Sequence, residues 1–138
     1  MKFSWFSTVL IASFSVAIFS CSKDDDNNNT TAVSVAGKGG TTTLHVVPQN
    51  NGVNVDSCMV YLKYNTDVVP ANLNQYDDSV KCATLDNVPV AAFPNLKKGQ
   101  YLVYAKGWDI VRSQTVSGSR PYSITSDNTT ATLELQLQ

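Results

Sequence analysis

The chain has a single histidine, His45, in 138 residues, and that scarcity removes more chemistry than any other feature of its composition. A serine or cysteine nucleophile needs a base beside it, and zinc sites draw on imidazole and thiolate gathered in one place. His45 sits inside the β-branched run "TLHVV" and reads as a residue of a sheet face. Basic residues are not in excess either. Ten Lys and Arg stand against eleven Asp and Glu, for a net charge of -1, and nucleic-acid binding requires a basic surface to neutralise phosphates. A nucleic-acid partner is therefore excluded. There is no glycine-rich phosphate loop and no EF-hand spacing, so neither a cofactor nor a metal is implied. Beyond residue 20 there is no long apolar run and no stretch of helical period.

What is present begins with one apolar segment. Lys2 supplies a positive charge, and Trp5–Ser20 follows with no charge at all, which is the plan of a secretory signal. A spanning helix needs about 20 apolar residues. This run is shorter and broken by serines, so cleavage is expected rather than permanent insertion. "IFSC" (Ile18–Cys21) resembles the bacterial lipobox, although Phe19 is bulkier than the usual occupant. The resemblance implies that Cys21 is lipidated and becomes the mature N-terminus, with each buried methylene contributing about 0.8 kcal/mol of anchoring. "CSKDDD" resembles the surface-export signal of Bacteroidetes lipoproteins. It implies that Ser22, Lys23, Asp24, Asp25 and Asp26 direct the protein to the outer membrane, facing the cell exterior. The polar "DDDNNNTT" also suits a solvated tether. The expected organisation is a signal peptide over 1–20, a lipidated cysteine and disordered tether over 21–40, and one domain over 41–138.

From Thr41 the pattern alternates with period 2 between turn residues. "TTTLHVV" is expected to be a strand that stops at Pro48. In "VDSCMVYLKY", Cys58, Val60, Leu62 and Tyr64 share one face, and Met59, Tyr61 and Lys63 the other. Residues 65–80 break the alternation and are expected to form a long loop. "KCATL" and "PVAAF" read as a pair joined through Asp86 and Asn87. "YLVYAKG" places Tyr101, Val103 and Ala105 opposite Leu102, Tyr104 and Lys106. "DIVRSQTV", "PYSIT" and "ATLELQL" follow, the last with Leu133, Leu135 and Leu137 on a half-buried face. The expectation is an all-β fold, a small antiparallel β-sandwich of seven or eight strands, Ig-like or transthyretin-like.

"DNVPVAAFPNLKKGQYLVYAKGWD" resembles the central pattern of the carboxypeptidase regulatory-like (transthyretin-like) domains. Phe93, Asn95, Leu96, Gly99, Tyr101, Tyr104, Gly107 and Trp108 fill the places of that pattern. Pro89 stands where the family often has glycine, which implies a different turn there. The resemblance implies a scaffold in which Gly99 turns with positive φ, Phe93 and Leu96 enter the core, Gly107 relieves crowding and Trp108 caps the sandwich edge.

No catalytic residue emerges. Asp77 and Asp78, an acid pair in the expected loop, read as facing water. "Asp78-Ser79-Val80" resembles the short acceptor for protein O-glycosylation in Bacteroidetes. Cys58 and Cys82 remain once Cys21 carries lipid, and they are either bridged or two buried thiols. Tyr61, Tyr64, Tyr76, Tyr104, Trp108 and Tyr122 are the aromatics available for a carbohydrate-stacking platform, with core and edge packing as the alternative; Tyr76, Trp108 and Tyr122, in the segments 65–80 and 108–122, are the candidate ligand contacts. The expected function is that of a non-catalytic binding or envelope module, anchored to the membrane by lipid, with a protein or glycan partner. The competing readings are a glycan-binding accessory of a nutrient-uptake system and a small hydrolase or metal-dependent site in the loops.

Overall fold

The computed structural model describes residues 34–138; the signal segment, Cys21 and the export residues Ser22 to Asp26 lie outside the described residues. Nine strands form in chain order: β1 (Lys38–Asn50), β2 (Val53–Asn54), β3 (Ser57–Tyr64), β4 (Asp78–Lys81), β5 (Ala83–Leu85), β6 (Val88–Leu96), β7 (Gly99–Asp109), β8 (Gln114–Ile124) and β9 (Thr130–Gln136). The first sheet runs β2-β1-β6-β5, with β9 along the other edge of β1; the second runs β4-β3-β7-β8. The two sheets pack as a sandwich, as the alternation predicts. Cys58, Val60 and Leu62 of β3, Tyr101, Val103 and Ala105 of β7, and Leu133 and Leu135 of β9 are buried with Phe93 and Leu96 in one shared core. Their strand neighbours face outward, because successive side chains of a strand alternate sides.

Several details differ from the sequence-based expectation. One pairing is parallel: β9 runs beside β1 in the same direction, from Thr43 opposite Thr130 to Gln49 opposite Gln136. The first strand begins at Lys38 and passes through Pro48 to Asn50. Pro48 interrupts nothing because it falls in the gap between the pairing with β6, which ends at Val46, and the pairing with β2, which begins at Gln49. A missing N–H is tolerated where no ladder partner waits for it. The segment "KCATL" is two strands in different sheets, with Cys82 at the crossing. Residues 110–113, expected as strand, are a turn. Ile110 and Val111 have strand propensity, but Asp109 accepts the Arg112 backbone N–H at 3.1 Å, an Asp-nucleated turn that overrides propensity.

The residues that carry the family resemblance have local physical roles. Asn95 takes φ 61°, and Leu96 behind it is fully buried. Gly99 takes φ 146°, and an added β-carbon would lie 2.5 Å from the Ala36 nitrogen. The Tyr101 hydroxyl donates to the carbonyls of Lys97 (2.6 Å) and Gly37 (3.2 Å) and lies 3.0 Å from the Gly37 N–H. A hydroxyl has one proton, so at any moment it donates to one carbonyl and accepts from the N–H. This knot ties the incoming chain to the sandwich. Gly107 has Ser57 O at 2.7 Å from its would-be β-carbon, the close approach expected of it. Asp86 (φ 49°) and Asn87 (φ 64°) make a two-residue hairpin turn with both residues left-handed, the type that matches strand twist, so Pro89 does not disturb it.

Candidate functional site

The outward side of the second sheet is laid out by its register. Met59 lies between Lys81 of β4 and Lys106 of β7 in one row. The next row places Ser79, Tyr61, Tyr104 and Ser119 side by side. On the other side of the lysine row come Ser57, Trp108 and Thr115. Directly opposed side chains on one face sit about 5 Å apart. The result is a sheet face with aromatic rings in the rows on both sides of the two lysines. Tyr104 and Trp108 are four residues apart on β7, about 14 Å at strand rise.

The tyrosine end is a cluster. Tyr76, from the loop before β4, stacks on Tyr104 (centroids 5.6 Å apart, planes at 26°) and tilts against Tyr61 at 5.4 Å. Tyr61 and Tyr104 are 6.0 Å apart. Burial, and then the neighbouring Tyr104, pushes the Tyr76 phenol above its ordinary value. The loop is held in place by Asp77, which accepts from Lys63 Nζ (2.9 Å) and the Tyr64 N–H (2.7 Å). Asp78 pairs with Lys38 at 2.6 Å. Of the two acids expected to face water, Asp77 thus clamps the loop to β3, and Asp78, the first residue of β4, ties that strand to β1 of the first sheet. Their physical signal, adjacency to a short edge strand, was hidden by the assignment of 65–80 to one long loop.

Trp108 does not cap the sandwich edge as expected. It stands on the outward face and is 47% exposed, and the adjoining turn exposes Ile110 and Val111 by 68% and 74%. Lys81 and Lys106 are exposed, and among the described residues neither lies in a salt bridge. Of the three predicted ligand contacts, Tyr76 and Trp108 share this face. Tyr122 does not: it pairs with Tyr101 on the inward side and packs against the core. Tyr61 and Tyr104 belong to the site in its place, and the alternation that puts each beside a lysine was their signal. Ser79 is exposed on the same face.

The remaining candidates are structural. His45 lies mid-strand between Ala92 and Thr132, and among the described residues no three His, Cys, Asp or Glu side chains gather to hold a metal. Cys58 and Cys82 are both buried, with free thiols in this structure. A polar cleft of about 540 Å³ lies at the end of the sandwich near the β7–β8 turn, lined by residues including Asn51, Arg112, Gln114 and Gln136. Its one cation among the described residues, Arg112, is already committed to buried Asp109 at 3.0 Å. Burial alone pushes the Asp109 carboxyl up, but hydrogen bonds from the Arg112 guanidinium, the Arg112 N–H and Asn50 outweigh it and hold it below its ordinary value. An acid depressed in this way contributes stability above its unfolded pKa of about 3.9 and loses it as pH falls through the folded value. Wild type should therefore be more stable than Asp109→Asn at pH 7, with thermal midpoints converging below about pH 4. Parallel pH profiles would contradict this.

No family model, curated protein or solved structure matches the chain.

Proposed function

We propose that the protein is a non-catalytic binding module, anchored at the outer membrane through a lipid on Cys21 and facing outward, that holds an acidic saccharide chain across the outward face of its second sheet. The anchor and address rest on the sequence alone. The binding reading rests on one observation: two lysines that form no salt bridge among the described residues share a row, with aromatic rings in the rows on both sides. Rings offer apolar faces to the C–H side of a sugar, and uncompensated ammonium groups favour an anionic occupant. Serine and threonine hydroxyls on the edge strands can both donate and accept. Rings and lysines spread over about 14 Å of one sheet face suit a chain better than a small compact ligand.

The test is isothermal titration of the chain with polygalacturonate, a carboxylate-bearing polysaccharide, with neutral dextran as control. Binding of the acidic polymer alone is expected, and Trp108→Ala should weaken it about tenfold, the scale of one lost stacking partner. Equal affinity for dextran, or full affinity in Trp108→Ala, would contradict the proposal. Binding of an acidic peptide in preference to polygalacturonate would replace a glycan with a protein partner.

A further inference from the structure

Cys58 and Cys82 sit opposite each other across the β3–β4 pair. The register that opposes Met59 to Lys81 continues by one step to this pair, and the Cys82 N–H donates to the Cys58 carbonyl at 3.0 Å. Hydrogen-bonded opposed residues have Cα atoms about 5.5 Å apart, inside the range a disulfide spans. Cys58 points into the core with Val60 and Leu62, and Cys82 joins it at the point where the chain leaves one sheet for the other. The neighbouring Cys82 thiol and burial push Cys58 up, and the neighbouring Cys58 thiol pulls Cys82 down.

We propose that Cys58 and Cys82 are an oxidative cross-link site, and that the bridge pins the short edge strand β4 to β3 beneath the binding face. The reaction is thiol–disulfide exchange with a disulfide-bearing oxidant, either a small disulfide such as oxidised glutathione or the active-site disulfide of an oxidoreductase. Cys82, the less covered of the two at 9% exposure against 3%, loses its proton and attacks one oxidant sulfur. A mixed disulfide forms and one thiol leaves. Cys58 then loses its proton and attacks the Cys82 sulfur, closing the intramolecular bond and releasing the second thiol. Two cysteine thiols are oxidised and one oxidant disulfide is reduced to two thiols. The bridge lies immediately inside the Lys81–Met59–Lys106 row, so it fixes the lateral position of Lys81. The cross-link itself stands whether or not the face binds a glycan. Only this positioning role rests on the function proposed above.

The experiment incubates the full chain with oxidised glutathione, blocks remaining thiols, digests it with trypsin without reduction and determines peptide masses. The peptide ending at Lys63 should appear joined to the peptide that begins at Cys82, two hydrogens lighter than their sum. Reductant should also lower the thermal midpoint of the oxidised protein by about 10 °C or more, and leave Cys82→Ser unmoved. Complete alkylation of both cysteines after oxidation, or a link from either one to Cys21, would overturn the proposal. So would a midpoint indifferent to reductant. Polygalacturonate titration of the oxidised and reduced forms reads the positioning role separately. Weaker binding after reduction is expected, and equal binding would refute the role while leaving the cross-link intact.

Discussion

Gly99→Val is expected to destabilise the domain by roughly 3 kcal/mol or more, combining about 1–2 kcal/mol for a left-handed L-residue with about 1–3 kcal/mol for overpacking. Both costs act at once here. The backbone at Gly99 has φ 146°, and the new β-carbon would meet the Ala36 nitrogen, Cα and Cβ at 2.5, 2.7 and 2.8 Å. The clash is with backbone, so no rotamer change relieves it. Ala36 is held there by two hydrogen bonds with the Asn65 side chain, at 2.7 and 3.2 Å, and the next residue by the Tyr101 hydroxyl. A loss of that size is a large part of the 5–15 kcal/mol typical of a domain. Urea unfolding of wild type and variant measures it. A difference below about 1 kcal/mol would show that the Gly37–Tyr101 knot does not constrain the chain.

The second large effect concerns binding. Reversing both charges in the middle row, with Lys81→Glu and Lys106→Glu together, should reduce affinity for polygalacturonate by about 100-fold or more at low salt, since like charges brought together across an interface cost several kcal/mol. Both residues are exposed, and among the described residues neither is in an ion pair, so stability should change little. Wild-type affinity should itself fall with added salt, because exposed charges are screened over about 10 Å at 0.1 M. Isothermal titration at two salt concentrations reads both effects. Unchanged affinity in the double variant would remove charge from the account and leave the rings alone to explain binding.

Much of the fold was legible because burial on one face imposes period 2 on a strand. Cys58, Val60 and Leu62, then Tyr101, Val103 and Ala105, then Leu133 and Leu135 announce their faces, and all eight are buried. Pairing partners were not legible. Which strand lies beside which is a long-range outcome that alternation does not encode, and the parallel contact of β1 with β9 joins residues 87 apart. Local rules also competed at the β7–β8 turn, where the strand propensity of Ile110 and Val111 gave way to a hydrogen bond from the Arg112 N–H to Asp109. The site divides the same way. Each ring could be counted in the sequence and most could be placed on a strand face. The meeting of Tyr76 with Tyr61 and Tyr104 depends on a loop folding back over the sheet, held by Asp77. Tyr122 was misgrouped because its strand, β8, turns that residue inward beside Tyr101.

The central claim is that the outward face of the second sheet is the place where ligand sits. The most direct measurement is amide chemical-shift mapping of the chain during titration with polygalacturonate. Shifts should concentrate at Met59, Tyr61, Ser79, Lys81, Tyr104, Lys106 and Trp108, with the inward-facing residues of the same strands far less affected. Shifts confined to Asn51, Arg112, Gln114 and Gln136 would move the site to the polar cleft at the end of the sandwich and contradict the account.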